Sequence, residues 1–269
     1  MAKEKCTVVL LTGGSSGIGA ATAAILADKG IKVYATSRSG KAPGNGNIVP
    51  RVMDVNDQKS VTDTVDYIFR TEGHLDAVIC NAGNGIAGAV EDTSIEEARY
   101  QFETCFFGAV RTIDACLPVF RQQGFGKIIT VTSVAAFIPI PFQAYYSSVK
   151  AALLMLTKAL SLEVKPFGIQ CCIVQPGDTK TGFTSARKYT EKAYEGAYAG
   201  TMKRSVAKME KDEQNGMPPE KIAEAIYKQL KARKMRLNVT PRFDYRAIEI
   251  LSKLLPTRMI MWLVGKLYC

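Results

Sequence analysis

The chain is expected to fold as an α/β protein, a doubly wound parallel sheet with helices on both faces. Three observations carry that expectation. Short β-branched runs alternate with longer helical patterns along most of the 269 residues. The strand runs are apolar nearly throughout, as strands covered on both faces should be, rather than apolar at every second residue. A glycine cluster stands between the first apolar run and the first helical pattern, where such folds place a ligand.

The elements follow in order. TVVLLT is a strand, TGGSSGIG (Thr12 to Gly19) a turn, and ATAAILADKG a helix. IKVYATS is the second strand. The polar SRSGKAPGNGN after it is rich in glycine and asparagine, so the crossover there is read as a loop. IVPRVMDV, LDAVICNAG, KIITVTS and IQCCIVQPG are further strands. Between them lie SVTDTVDYIFRTEG, the long SIEEARYQFETCFFGAVRTIDACLPVFRQQG and a helix opening near Tyr146. Right-handed crossovers then bring the strand C-termini to one edge, where ligands bind. Residues 181–216 are rich in Tyr, Met, Lys and Glu and look helical but poorly periodic, the composition of a flap over a site. Residues from about 246 to 269 form an apolar extension. No repeat or low-complexity tract interrupts the chain.

Composition narrows the function classes. With 47% hydrophobic and 22% charged residues the chain is an ordinary globular one. MAKEKCTVVLLTGG runs directly into the first strand without signal-peptide architecture. No apolar run approaches the roughly 20 residues of a membrane span. Seven scattered cysteines without C-x-x-C spacing, and a single histidine, point to reduced thiols in a cytoplasmic protein and to no metal site. The formal charge of +10 admits nucleic acid, an anionic surface or a small acidic ligand. No aromatic-interleaved basic motif or recognition helix accompanies it, so nucleic acid is not expected as a partner.

The glycine turn has three readings. Gly13-Gly14-Ser15-Ser16-Gly17 fits the hydrolase pattern G-x-S-x-G, but that elbow requires a later acid and then a histidine. The one histidine, His74, sits in the turn TEGHLD. The Walker pattern fails as well, since no Gly-Lys-Ser/Thr follows. A phosphate cradle fits: Gly13 permits the turn, Gly17 lets a diphosphate approach the backbone, and Gly19 lets the helix pack on the strand. The amides of Ser15, Ser16, Ile18 and Gly19 then face an anion, helped by the positive end of the helix dipole.

Three further signals sit where the sheet edge would place them: Asn81-Ala82-Gly83 after one strand, Ser133 ending another, and Tyr146-Ser-Ser-Val-Lys150 followed by PGDTKT, Pro176 to Thr181. The T-G-x-x-x-G-x-G, N-A-G, S…Y-x-x-x-K and P-G elements occur in one order over about residues 6–240. The set resembles the classical short-chain dehydrogenase/reductase family, and most of all its hydroxysteroid and retinoid dehydrogenase branch. The resemblance implies a single Rossmann-type NADP-binding domain over 1–269, with the flap and the C-terminal extension as additions to it.

The chemistry is legible beside the resemblance. Tyr146 and Lys150 lie one turn apart on one helix face. A free phenol has a pKa of about 10. A nearby ammonium favours the phenolate, so Tyr146 is expected to act as general acid/base with Lys150 lowering its pKa. The family pattern adds that Ser133 orients the reacting oxygen and that Lys150 holds the nicotinamide ribose. It also assigns cofactor contacts to Asp54 and Val55 (adenine), Asn81, Ala82, Gly83, Pro176, Gly177, Thr179 and Thr181. One position departs from the pattern. Cys105 stands where the family carries asparagine in N-x-x-G, the support of a water-linked proton relay, and a thiol is a poor hydrogen-bond partner.

NAD-preferring members carry an acid at the end of strand two. Here that strand ends Thr36-Ser37-Arg38. Arg38 can grip a 2′-phosphate, with Ser15 or Ser16 and Ser37 alongside, so NADP(H) is the expected cofactor. The pocket is expected from Val134–Gln143, with Phe137, Ile138, Ile140 and Phe142, from the stretch after Pro176 and from the flap. That lining suits a bulky apolar alcohol or ketone such as a hydroxysteroid or bile acid. A broad carbonyl reductase, a retinol dehydrogenase-like enzyme and a non-catalytic NADP(H) sensor stand as alternatives. Lys188, Lys192, Lys203 and Arg204 of the flap suit an anionic substrate tail or are solvated charges. The C-terminal stretch has three open roles: closing the pocket, covering a partner subunit, or lying on a membrane surface. The family pattern implies a homodimer or homotetramer.

Overall fold

The computed structural model describes residues 6–42, 44 and 46–269. Residues 1–5 of the stretch leading into the first strand, and Pro43 and Asn45 of the predicted loop, lie outside that description. The strands are β1 (Val8–Thr12), β2 (Lys32–Ser37), β3 (Ile48–Val52), β4 (Ala77–Cys80), β5 (Ile86–Ala87), β6 (Gly126–Val131), β7 (Ile169–Val174), β8 (Lys188–Tyr189) and β9 (Asn238–Val239). The helices are α1 (Gly17–Asp28), α2 (Gln58–Glu72), α3 (Ile95–Phe102), α4 (Gly108–Gln123), α5 (Ala144–Glu163), α6 (Phe183–Ala186), α7 (Ala199–Gln214), α8 (Pro219–Lys231), α9 (Phe243–Leu254) and α10 (Thr257–Tyr268).

Seven strands pair in the order β3-β2-β1-β4-β6-β7-β9, all parallel. Alternate residues of each strand enter opposite layers. Val8 and Leu10 of β1 join Val65, Ile113, Phe120 and Leu153 of α2, α4 and α5. Val9 and Leu11 join Leu26, Ile222 and Ile226 of α1 and α8. All five β1 side chains, Thr12 included, are at most 3% exposed, which is why the run shows no solvent face. Burying each of the four apolar ones is worth about 1.5–3 kcal/mol.

Among the described residues the connection from β2 to β3 holds no helix. The long helical region is continuous but not uniform. Residues Glu103–Phe107 form one π-helical turn between α3 and α4, and Cys105 lies within it. The expectation for residues 181–216 holds in part: α6 and α7 are helical, but β8 pairs in parallel with β5, Ile86 opposite Lys188. Order reverses between β1 and β4, so the crevice beyond their C-terminal ends is the switch point where such sheets take ligands.

At the opposite edge, Asp76 Oδ2 accepts the amides of Thr7 (2.7 Å) and Val8 (2.8 Å), and His74 Nε2 lies 2.9 Å from Thr7 Oγ1. The one histidine is a structural group far from the strand C-termini, which disposes of the hydrolase reading.

Candidate active site

The glycine turn is built for close backbone approach. Gly13 and Gly17 hold φ of 68° and 53°, the left-handed region that favours glycine. A Cβ at Gly19 would stand 2.0 Å from the Gly13 carbonyl oxygen. Helix α1 starts without a side-chain cap and without an acid in its first turn, so its amides face the crevice uncompensated. Across the switch point, Asn81 Nδ2 donates to the carbonyl oxygens of Thr12 (3.0 Å) and Gly13 (3.1 Å). Thr12 Oγ1 in return accepts the amides of Asn81 and Ala82, each at 3.0 Å. The N-A-G signature is thus first a clamp on the glycine turn.

Ser133 follows β6 and its hydroxyl oxygen accepts the Ala135 amide at 3.1 Å. That leaves its hydroxyl proton free to turn toward Tyr146 on α5, whose phenol it favours in the ionised form. Lys150, 6% exposed, donates from Nζ to the Val131 carbonyl oxygen at 3.0 Å and lies 5.7 Å from the Tyr146 ring centroid. The electrostatics correct one expectation. Lys150 does not bring the phenol below its ordinary value: burial pushes Tyr146 well up, and the Cys105 thiol adds to that. The Ser133 hydroxyl and Arg187 act in the opposite direction but do not prevail. Burial also pulls the Lys150 ammonium down. Desolvation outweighs attraction here because both groups are enclosed and the ammonium is spent on a carbonyl.

Cys105 is 1% exposed and fully engaged. Its sulfur accepts from Gln101 Nε2 (3.1 Å) and the Asn84 amide (3.3 Å), and it faces Asn84 Oδ1 at 3.3 Å. Gln101 Nε2 donates to Asn84 Oδ1 (2.8 Å), and Gln101 Oε1 accepts the Ile86 amide (2.8 Å). The π turn is what brings the thiol to this loop, within van der Waals reach of the Gly83 position.

At the other end, Arg38 is exposed and makes no ion pair among the described residues. Ser37 and Ser39 flank it, and no carboxylate of strand β2 faces it. Asp54, after β3, accepts the Asn56 amide at 3.0 Å.

The substrate side differs from expectation in two respects. Val134, Ile140 and Gln143 line the cleft, but Phe137, Ile138 and Phe142 do not. Phe142 turns instead to the flap core of Ala87, Met202, Val206 and Met209. Of the basic flap residues only Lys188 lines the cleft, its ammonium 4.4 Å from the Tyr100 ring centroid, while Lys192, Lys203 and Arg204 face solvent. Two carboxylates stand there as well, Asp178 and Glu213, both held above the usual carboxylate range by burial. Asp178 accepts the Tyr245 hydroxyl. Glu213 accepts the Thr184 hydroxyl (2.6 Å) and pairs with Arg187, whose side chain is fully buried. Phe183 packs against Tyr146 with ring centroids 5.7 Å apart.

Every residue expected to be catalytic or to bind the cofactor lines a single cleft of about 610 Å³: Gly13, Ser15, Ser16, Gly17, Ile18 and Gly19; Ser37 and Arg38; Asp54 and Val55; Asn81, Ala82 and Gly83; Ser133, Tyr146 and Lys150; and Pro176, Gly177, Thr179 and Thr181. Sequence reasoning missed Asn84 and Gln101, and it placed the stretch after Pro176 and the flap at the pocket without singling out Asp178 and Glu213. Gln101 lies one turn before Cys105 on an otherwise amphipathic pattern, the one signal that could have found it. Among the described residues no cluster of His, Cys, Asp or Glu could hold a metal ion, and no helix is long and apolar enough to cross a membrane. No residue of α9 or α10 lines the cleft. The Tyr245 ring instead occupies the space beside Gly177, so the tail braces the cleft wall from behind.

Comparison with known proteins places this geometry. The family model described as short chain dehydrogenase matches residues 7–192. The chain belongs to the short-chain dehydrogenase/reductase family and is an oxidoreductase acting on CH–OH groups. It is 42% identical over 222 residues to 3-ketodihydrosphingosine reductase of Bacteroides thetaiotaomicron, covering 82% of each chain. It is 33% identical over 192 residues to human 17-beta-hydroxysteroid dehydrogenase type 1, covering 66% of this chain and 58% of that one. Among solved structures it resembles a short-chain dehydrogenase from Streptomyces avermitilis, with a TM-score of 0.83, 29% identity and 94% of both chains covered.

Proposed function

We propose that this protein is an NADPH-dependent reductase of a ketone carried on a long-chain, amino-bearing lipid, 3-ketodihydrosphingosine or a close analogue. The observation that carries the reaction is the meeting of Ser133, Tyr146 and Lys150 at one end of a cleft whose other end is the glycine cradle. That cradle, with its left-handed glycines and uncapped helix start, suits a dinucleotide diphosphate. Arg38, Ser37 and Ser15 or Ser16 are placed for a 2′-phosphate, Asp54 and Val55 for the adenine, and Asn81 to Gly83, Pro176, Gly177, Thr179 and Thr181 for the remainder. A nicotinamide cofactor held by these residues would supply the hydride that reduces the carbonyl carbon.

The protein's own groups handle the oxygen. Ser133 donates a hydrogen bond to the carbonyl oxygen, and Tyr146 passes its proton there as the alcohol forms. The tyrosinate left behind is stabilised by the Lys150 ammonium and takes a proton back from solvent. A phenol held above its ordinary pKa is protonated at neutral pH, the form that can donate to a forming alcohol.

Two features support the lipid. The relative named above as a 3-ketodihydrosphingosine reductase is 42% identical across most of both chains. The substrate side also combines apolar Ile140 and Phe183 with Asp178 and Glu213, an acidic pair in a chain of charge +10. An ammonium beside the ketone would meet Asp178, whose partner is the neutral Tyr245 hydroxyl, whereas Glu213 is held by Arg187 and a steroid offers Asp178 no cation. The second reading, a hydroxysteroid dehydrogenase, is favoured by the 33% identity to the human enzyme.

The test is NADPH oxidation against 3-ketodihydrosphingosine, a 17-ketosteroid, a bile acid ketone, retinal and a simple aryl ketone. The amino ketone should give the highest kcat/KM. A steroid preference would replace the substrate assignment, and NADPH binding without oxidation of any of them would mark a sensor.

A further inference from the structure

We propose that helices α9 and α10 form a docking surface for an anionic lipid bilayer. Their inner sides are committed. Tyr245 of α9 covers Gly177 and bonds Asp178, while Tyr268 of α10 packs on the flap core and Val264 is 5% exposed. Their outer sides are apolar and open: Phe243, Ile250, Leu254, Trp262, Leu263 and Leu267 are 44–83% exposed. On α9, Phe243, Ile250 and Leu254 fall on one stripe at helical spacing, with Arg246 and Lys253 at its edge. On α10, Trp262, Leu263 and Leu267 surround Lys266, whose ammonium lies 4.1 Å from the Trp262 ring centroid.

Charge decides what covers this surface. The segment's two acids are already neutralised, Asp244 by Arg242 and Glu249 by Lys253. Arg246, Arg258 and Lys266 have no carboxylate partner among the described residues. A second copy docking through the same face would bring those cations against their own equivalents. A layer of anionic headgroups over acyl chains satisfies both the cations and the apolar stripe. An aromatic at the boundary between the two, as Trp262 is, fits that depth. The docking itself stands on these helices and not on the substrate reading.

The experiment is co-sedimentation of the full chain with vesicles of mixed phosphatidylglycerol and phosphatidylcholine, and with vesicles of phosphatidylcholine alone. Binding is expected to the anionic vesicles, weakening as salt rises. The double variants Leu254→Glu/Trp262→Glu and Arg258→Glu/Lys266→Glu should each lower it by roughly tenfold or more. Trp262→Phe should retain it, and unchanged circular dichroism would show that the variants fold. The proposal is overturned if the wild type stays in the supernatant with anionic vesicles, or if the charge-reversed variant binds them equally well. It is overturned too if the apolar variant turns a wild-type dimer into a monomer in sedimentation velocity, which would assign the face to a second copy.

Discussion

Lys150 Nζ donates to the carbonyl oxygen of Val131, the last residue of β6, across 3.0 Å. This bond joins the helix that carries Tyr146 to the strand that leads into Ser133, and so fixes the distance between the two. Lys150→Met is therefore expected to do two things. It removes the cation that steadies a tyrosinate, and it leaves a buried carbonyl unpaired at a cost of about 1–3 kcal/mol. Turnover should fall by at least about a hundredfold. Thermal denaturation should report the second effect separately.

Cys105 gives a sharper case, because its sulfur has a full set of partners in Asn84 and Gln101. A carboxamide can make the same bonds but is bulkier in a site that is 1% exposed. Cys105→Asn should keep turnover within about tenfold of the wild type while losing about 1–3 kcal/mol of stability to overpacking. Initial rates and a urea titration on the same preparation check both parts.

How far these residues were readable in advance depends on the range of the interaction. The apolar runs of β1 and β7 announced a sheet covered on both faces, because Leu10 and Leu11 must each find a core. The glycines and the Tyr146–Lys150 spacing announced the site, because a tight turn and one helical turn are local geometry. Glu213 was not readable, since its role arises from α7 folding over the cleft, and Gln101 left only its place one turn before Cys105, its partners being brought together by the π turn. The direction of the Tyr146 shift was misjudged for a related reason. Spacing reports that an ammonium is near, but not that both groups are enclosed or that the ammonium is spent on a carbonyl.

Arg38 carries the cofactor preference in this account. Arg38→Asp should lower kcat/KM for NADPH by about tenfold to a hundredfold, the worth of a charge-assisted contact, and raise the relative use of NADH. Steady-state titration with each cofactor reads it. Unchanged preference would place the 2′-phosphate elsewhere.

Asn81 holds the glycine turn through two hydrogen bonds to backbone oxygens. Asn81→Ala should cost about 1–3 kcal/mol of stability. It should also weaken cofactor binding more than it slows the bound enzyme. Fluorescence titration with NADPH, beside kcat at saturation, separates the two.

The raised phenol sets the pH dependence. Its protonated form persists to higher pH than that of a free tyrosine, so reduction, which consumes that proton, should stay level from neutral pH upward and fall only in strong alkali. Oxidation of the alcohol needs the phenolate and should rise with pH over the same range. Two pH–rate profiles, one for each direction, test the sign.

The most direct measurement is kcat for ketone reduction by Tyr146→Phe at saturating NADPH, with cofactor affinity and the melting transition measured on the same protein. Loss of a positioned general acid predicts a fall of about 10²–10⁴-fold, with affinity and melting close to the wild type. Turnover equal to the wild type would contradict the account, since another group would then be delivering the proton.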